Sequence, residues 1–291
     1  MELVYKVCKE NLSINQILKK EFDISNRLFT KLLHENCVTC NGKLCDTRNI
    51  VNIGDTIIID FNYEEDNSNI VPTKINLNIR YEDDWLIVLD KPKSQATHPS
   101  ILHYDDTLSN GLKYYFDSIN LHKKIRPVNR LDYNTSGLIV FAKNEYIQDC
   151  LIKQMANNTF KKTYIALVHG LLEEKNGQIN MPIARKSGSI IERCVSENGK
   201  KAITNYEVLE EKCNLSLVKC TLITGRTHQI RVHFAAIGHP LVGDTLYGKK
   251  DDKIDGQMLH CSEIEFIHPI TKTRLSINSV TKRTGTDVTV T

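Results

Sequence analysis

The segment Arg126-Pro127-Val128-Asn129-Arg130-Leu131-Asp132-Tyr133-Asn134-Thr135-Ser136-Gly137 sets an acid beside an arginine, just before the apolar run Leu138-Ile139-Val140-Phe141-Ala142. A carboxylate on such a polar loop can stay ionised and meet a ligand. The letters Asp132-x-Asn134-x-Ser136-Gly137 also open like an EF-hand calcium loop. That loop needs a bidentate glutamate at position twelve, where this chain has Lys143, and apolar residues fill its second half. Calcium is therefore rejected. A second candidate, Tyr164, is the one aromatic hydroxyl in Lys161-Lys162-Thr163-Tyr164-Ile165-Ala166-Leu167-Val168; by itself it reads as a core tyrosine. The third segment is Thr224-Gly225-Arg226-Thr227-His228-Gln229-Ile230-Arg231-Val232-His233. Thr227 is placed to cap a helix whose Ile230, Phe234 and Ile237 face the core. Arg231 borders that face, where a guanidinium is costly unless a carboxylate meets it. His228 and His233 fall on different helical faces, and no acid cluster accompanies them, so no metal site is expected.

Positioning these groups falls to a chain of 291 residues, enough for about two domains and a well-buried core. Strand patterns at Trp85–Leu89, Leu138–Ala142, Thr163–Val168, Ala202–Leu209 and Leu215–Ile223 outnumber helical ones at Thr107–Phe116, Glu145–Met155 and Thr227–Ile237. They lack a regular βαβ beat. The expected class is α+β, with a mixed, largely antiparallel sheet. Hydrophobic residues at 41% and charged residues at 25% exclude disordered and fibrous classes. No apolar run reaches bilayer length and the N-terminus lacks a signal-peptide pattern, so a cytoplasmic protein is expected, its nine scattered cysteines reduced.

The first sixty-one residues read as a separate module. Ser13 can cap a helix carrying Ile14, Ile17, Leu18 and Phe22, and Ser25 a second carrying Leu28, Phe29, Leu32 and Leu33. A hairpin turning at Asn41-Gly42 and a strand from Thr56 to Phe61 complete it. Cys37-x-x-Cys40 invites a zinc reading, but the hairpin explains the spacing and residues three apart in a strand point to opposite faces. Core or surface thiols are the preferred reading. Residues 62–78, with Glu64-Glu65-Asp66-Asn67-Ser68-Asn69, read as a solvated linker. Residues 79–291 form the second domain. Charge is uneven: the first module has 8 basic and 8 acidic groups, whereas 85–291 carries 28 against 21. That surplus suits a polyanionic substrate without requiring one.

The N-terminal pattern resembles the S4 RNA-binding domain through Ile14-Asn15-Gln16-Ile17-Leu18, Ser25-Asn26-Arg27, Asn41-Gly42-Lys43 and Gly54-Asp55-Thr56. The resemblance implies RNA phosphate contacts by Arg27, Lys31 and Lys43, which position RNA without reading its sequence. The module's zero net charge departs from that picture, and a structural lid is the bland alternative. Across nearly the whole chain, the remaining motifs resemble the RluA-type pseudouridine synthases. They run from Ile79-Arg80-Tyr81-Glu82-Asp83-Asp84, Lys91-Pro92 and Thr97-His98-Pro99-Ser100 to Arg130-Leu131-Asp132-x-x-Thr135-Ser136-Gly137-Leu138. Gly225-Arg226-Thr227-His228-Gln229-Ile230-Arg231-Val232-His233, Gly238-His239-Pro240-Leu241-x-Gly243-Asp244 and Leu259-His260-Cys261 follow. One departure is Asn129, where the family usually has histidine; loop geometry and RNA fit are what it bears on.

The resemblance implies an isomerase that breaks the N1–C1′ bond of uridine in RNA, turns the uracil and joins C5 to the same carbon. Nothing is oxidised and no group arrives from outside, so no cofactor is expected. Asp132 would be the essential carboxylate, attacking C1′ or removing the C2′ proton to give a glycal; both routes stay open. Arg231 would pair with it, and Tyr164 would stack on the detached uracil and accept or relay the C5 proton. Ile264 would pack beneath the base. Arg130 would intercalate or meet the flipped nucleotide's phosphate, with Lys161, Lys162 and Arg226 near the flanking phosphates. The base must leave its stack to enter. The expected partner is structured RNA, first large-subunit (23S) ribosomal RNA and second transfer RNA, bound by a monomer. The reading from another class is a non-catalytic ribosome-assembly factor on the same scaffold. A glycoside hydrolase needs two carboxylates across the bond, and these motifs supply one.

Overall fold

The computed structural model describes residues 1–248, 254 and 256–279; the end of the expected second domain, 280–291, lies outside them. Residues 1–61 contain β1 (Glu2–Lys6), β2 (Leu12–Ser13), α1 (Ile14–Lys20), α2 (Asn26–His34), β3 (Val38–Cys40), β4 (Lys43–Leu44), β5 (Ile50–Val51) and β6 (Thr56–Asp60). Ser13 starts α1 through a capping box: its hydroxyl accepts from the Gln16 amide (3.2 Å), and Gln16 Oε1 accepts from the Ser13 amide (2.9 Å). Ser25 caps α2 in the same sense. Asn41 and Gly42 both take left-handed φ, of 50° and 75°, as a tight hairpin turn requires. The resulting antiparallel sheet, β1-β6-β3-β4, contains a strand the sequence pattern did not mark, β1, which pairs residue for residue with β6. Ile14, Ile17, Leu18, Leu32, Ile57 and Ile59 are buried between the helices and this sheet.

Residues 62–78 carry no helix or strand, yet they are not the solvated linker expected. Glu65, Asn67 and Ile70 are buried. Glu65 accepts two parallel bonds from Arg126 (2.6 Å each) and a third from Lys31 (2.8 Å), which also pairs with Glu145 (2.7 Å). The ammonium of Lys31, expected to meet RNA phosphate, is thus committed to two carboxylates. The reason is charge neutralisation: a buried Glu65 needs cations, and α2 supplies one. Tyr63 lies between the ammonium groups of Lys31 (4.2 Å from the ring centroid) and Lys123 (4.1 Å), and Lys123 also donates to the carbonyls of Phe61 and Tyr63.

The rest of the chain builds β7 (Ile79–Glu82), β8 (Leu86–Lys91), α3 (Leu108–Ser118), β9 (Arg126–Pro127), β10 (Ser136–Ala142), α4 (Glu145–Ala156) and β11 (Lys161–His169). It continues with β12 (Asn176–Asn180), β13 (Ile183–Arg185), β14 (Arg193–Val195), β15 (Ile203–Lys212), β16 (Leu215–Leu222), α5 (Gln229–Ala236), β17 (Leu259–Ile267) and β18 (Arg274–Asn278). Ten strands form one sheet in the order β12-β15-β16-β11-β17-β10-β8-β7, with β9 on β10 and β18 on β17. Among the described residues its pairs are antiparallel except β10 with β17. The α+β class is therefore observed. Every residue of β10 from Gly137 to Ala142 is buried, which explains why its sequence is apolar without alternation.

The β10–β17 pair depends on Gly137. Its φ is +109°, and a Cβ there would lie 2.2 Å from the carbonyl oxygen of Cys261. Only glycine allows both the backbone angle and the approach. Helix α5 is capped one residue later than the expected Thr227. His228 is its N-cap residue, in a left-handed conformation (φ 58°) and without a side-chain cap. Gln229 does the local work instead: its Oε1 accepts from the Arg226 amide (3.0 Å) and the Thr224 hydroxyl (2.8 Å).

Candidate active site

Asp132 stands on the loop between β9 and β10, and hydrogen bonds fix that loop from both ends. On the incoming side the Val128 amide donates to Val140 O (2.8 Å). Asn129 extends the ladder with its side chain, donating to Leu138 O (3.1 Å) and accepting from the Val140 amide (2.9 Å). The residue that replaces the usual histidine is thus tied to β10. On the outgoing side the Thr135 amide donates to Asp132 O (3.0 Å), just before Gly137. Lys91 is fully buried nearby, and its ammonium donates to the carbonyls of Pro92, Gln95 and Tyr133, each at 2.9 Å. Burial pulls this lysine down to about 8, against the opposing charge of Asp132. The neighbour of the acid is held by a buried cation.

Arg231, on α5, meets Asp132 with Nη1 at 3.2 Å from Oδ2. Its other edge holds Asp244 in a bidentate pair, Nε to Oδ2 at 2.7 Å and Nη2 to Oδ1 at 2.9 Å. Asp244 is itself fixed by the amides of Leu246 (3.0 Å) and Tyr247 (3.2 Å). Burial is the largest single influence and disfavours both charges, but the hydrogen bonds and charge attraction around the pair together exceed it, holding the Asp244 carboxyl down and the guanidinium up. The guanidinium also lies over the Tyr247 ring, 5.1 Å from its centroid. Asp132 is the more exposed partner, at 29% of its side chain against 8% for Arg231. The buried arginine is anchored, and the accessible acid is aimed.

His228 approaches the same acid, Nε2 to Asp132 Oδ2 at 3.8 Å. Its Nδ1 lies 2.8 Å from the Tyr247 hydroxyl, which accepts from the Arg193 amide at 2.9 Å. With the Tyr247 hydroxyl as donor to Nδ1, the imidazole N–H sits on Nε2, facing Asp132. Burial lowers the His228 pKa despite the charge of Asp132, so the ring is neutral near pH 7. Tyr164, on β11, is buried, and burial, followed by its contact with Cys261, pushes its phenol well above the ordinary value. It is a neutral hydroxyl, not a phenolate.

These groups bound a cavity of about 480 Å³ lined by residues 128–132, Met155, Lys162, Tyr164, Arg193, Leu222 and 225–228. Arg130, Asp132, Tyr164 and Arg226 all reach it, and Arg231 supports Asp132 from behind. Ile264 is fully buried on β17, in register with Lys162, and is not among the lining residues. Lys161 is exposed on β11 beside the cavity, whereas Lys162 lines it, its ammonium pushed down by burial. Arg27 and Lys43 are exposed on the N-terminal module, without an ion pair among the described residues. Sequence reasoning missed Asp244, Tyr247, His228 and Arg193. The available signal was Arg231 itself: one buried guanidinium with two usable edges requires more than one acceptor, and Asp244 follows thirteen residues later.

Among the described residues lining the cavity, one accessible carboxylate is backed by a buried arginine and accompanied by four cations, Arg130, Lys162, Arg193 and Arg226, an arrangement suited to an anionic ligand. The profile of the RNA pseudouridylate synthase family matches residues 85–236. The chain is 36% identical over 273 residues to the Bacillus subtilis (strain 168) "uncharacterized RNA pseudouridine synthase YhcT", covering 93% of this chain and 90% of that one. It is 36% identical over 246 residues to the ribosomal large subunit pseudouridine synthase D of Nitrosomonas europaea, covering 81% and 71%. The solved human RNA pseudouridylate synthase domain containing 1 superposes with a TM-score of 0.60 at 28% identity, covering 71% of this chain and 84% of that one. The chain belongs to the RNA pseudouridine synthase family, and it is an isomerase acting on RNA.

Proposed function

We propose that the chain isomerises uridine in large-subunit ribosomal RNA, with Asp132 as the carboxylate that acts on the ribose. The observation that carries this reading is the Asp132–Arg231 contact at the mouth of the cavity, anchored from behind by Asp244. Arg231 positions the acid and balances its charge. The N1–C1′ bond breaks, the uracil turns, C5 bonds to C1′, and the C5 proton passes to N1 through solvent or side-chain relays. Tyr164 serves as the neutral stacking surface and proton relay, since its raised pKa removes the phenolate as a base near neutrality. Arg130 and Arg226 meet the phosphates of the everted nucleotide. Arg27 and Lys43 add sequence-independent phosphate contacts from the N-terminal module.

The ribosomal choice is supported by similarity to a relative named for that substrate. Transcriptome-wide pseudouridine mapping in a strain lacking this chain tests it. The reading expects one or more sites lost from large-subunit ribosomal RNA and restored by the wild-type gene. Loss confined to transfer RNA would overturn the substrate while leaving the chemistry intact.

A further inference from the structure

A second cavity, of about 460 Å³, adjoins the first and shares Met155, Lys162, Leu222, Gly225 and Arg226 with it. Its size lies within the range of about 300–1,000 Å³ typical of small-molecule pockets. Phe160, Ile203 and Ile223 add apolar lining, and Lys201 adds a third cation to Lys162 and Arg226. No aspartate or glutamate lines it, and none of the three cations has a carboxylate partner among the described residues. Arg226 is oriented by donating from Nε to Lys201 O (3.0 Å), which leaves both terminal nitrogens of its guanidinium without a protein acceptor among those residues. The lining thus combines apolar walls with an uncompensated positive rim, the pairing that single-stranded nucleic acid requires: a face for a base and charge for a phosphate.

We propose that this second cavity is a subsite for a nucleotide flanking the target uridine. Its base enters between the apolar walls contributed by Met155, Phe160 and Ile223, and the phosphate joining it to the target lies against Arg226 and Lys162 on the shared rim. Lys201 holds the outer phosphate. The site rests on reading the neighbouring cavity as the uridine site. It converts that pocket into a two-nucleotide groove, so that RNA must be locally unpaired at two adjacent positions to bind. Selectivity for loops and junctions follows from this requirement.

The test uses the full-length protein and 5′-fluorescein-labelled hexauridylate, followed by fluorescence anisotropy. Lys201 and Ile223 are exposed, so Lys201→Glu and Ile223→Asp should keep the wild-type circular dichroism spectrum. Each is expected to weaken binding about tenfold, and Lys201→Arg to restore it. Unchanged binding in both acidic variants would overturn the subsite. A kinetic arm uses an unmodified ribosomal RNA fragment carrying the target uridine, intact or with an abasic residue on one side of it. Wild-type kcat/KM should fall about tenfold for the abasic residue on one side, while Ile223→Asp should show little further loss from that change. Independent, multiplying losses would contradict the proposal. Absence of any pseudouridine formation by wild type would sink the uridine reading instead, and the binding arm would still decide the subsite.

Discussion

At the residue scale, the proposed chemistry depends on dividing one guanidinium between two acids. Asp244 takes two donors of Arg231 and is sealed from solvent, while Asp132 takes one and faces the cavity. Asp244 therefore acts through Arg231, not on substrate. Asp244→Asn should leave a buried guanidinium under-compensated, costing about 3 kcal/mol of stability by chemical denaturation. It should also lower kcat more than it raises KM, because the displaced arginine no longer orients Asp132. A variant with wild-type kcat would remove Asp244 from the account. The Asp132–Arg231 pairing was legible locally, since a polar loop acid and an arginine bordering a core face each stand out, whereas Tyr164 was singled out only through the family resemblance. Asp244, Tyr247 and His228 were not legible, because their roles arise only when the segment after α5 folds back beneath it.

At the element scale, the loop bearing Asp132 is precise because β10 enters the sheet at Gly137 with no room for a side chain. Gly137→Ala places a Cβ against the Cys261 carbonyl at an unfavourable φ. It should destabilise the protein by about 3 kcal/mol or more in urea unfolding, with activity falling further than the folded fraction does. Retained stability would show that β10 and β17 separate easily, and would weaken the case for a preset loop. The apolar runs of β8 and β10 and the capping serines of α1 and α2 could be read locally. Strand β17, central to the sheet, could not be placed from its own letters. It pairs β10 in parallel and β11 antiparallel, across more than ninety residues in each case. The start of α5 was misread because Thr227 has a capping side chain, whereas the chain turns through a left-handed His228.

At the scale of the molecule, the N-terminal module is docked by charge. Burial works against ionisation of Glu65, yet the hydrogen bonds from Arg126 and Lys31 outweigh it and hold the carboxyl at about 2, below its ordinary 4.5. A depressed carboxylate stabilises the fold fully above its ordinary pKa and loses that contribution as pH falls through the folded value. The docked arrangement should therefore weaken between about pH 4.5 and 2. Glu65→Gln should cost about 3 kcal/mol at pH 7 and flatten the stability curve across that acid window. Equal slopes for variant and wild type would contradict the role given to Glu65. This docking was invisible in the sequence because an acidic run predicts solvation, and the partners that bury Glu65 lie thirty-four residues before it and sixty-one after it.

The central claim is that one carboxylate, Asp132, performs the chemistry on ribose. Asp132→Asn keeps the side chain's size and removes its charge, so the most direct measurement is pseudouridine formed by this variant on unmodified large-subunit ribosomal RNA, quantified by nucleoside mass spectrometry. The account predicts no detectable product, with the unfolding midpoint changed little. Product at the wild-type rate from the folded variant would contradict it.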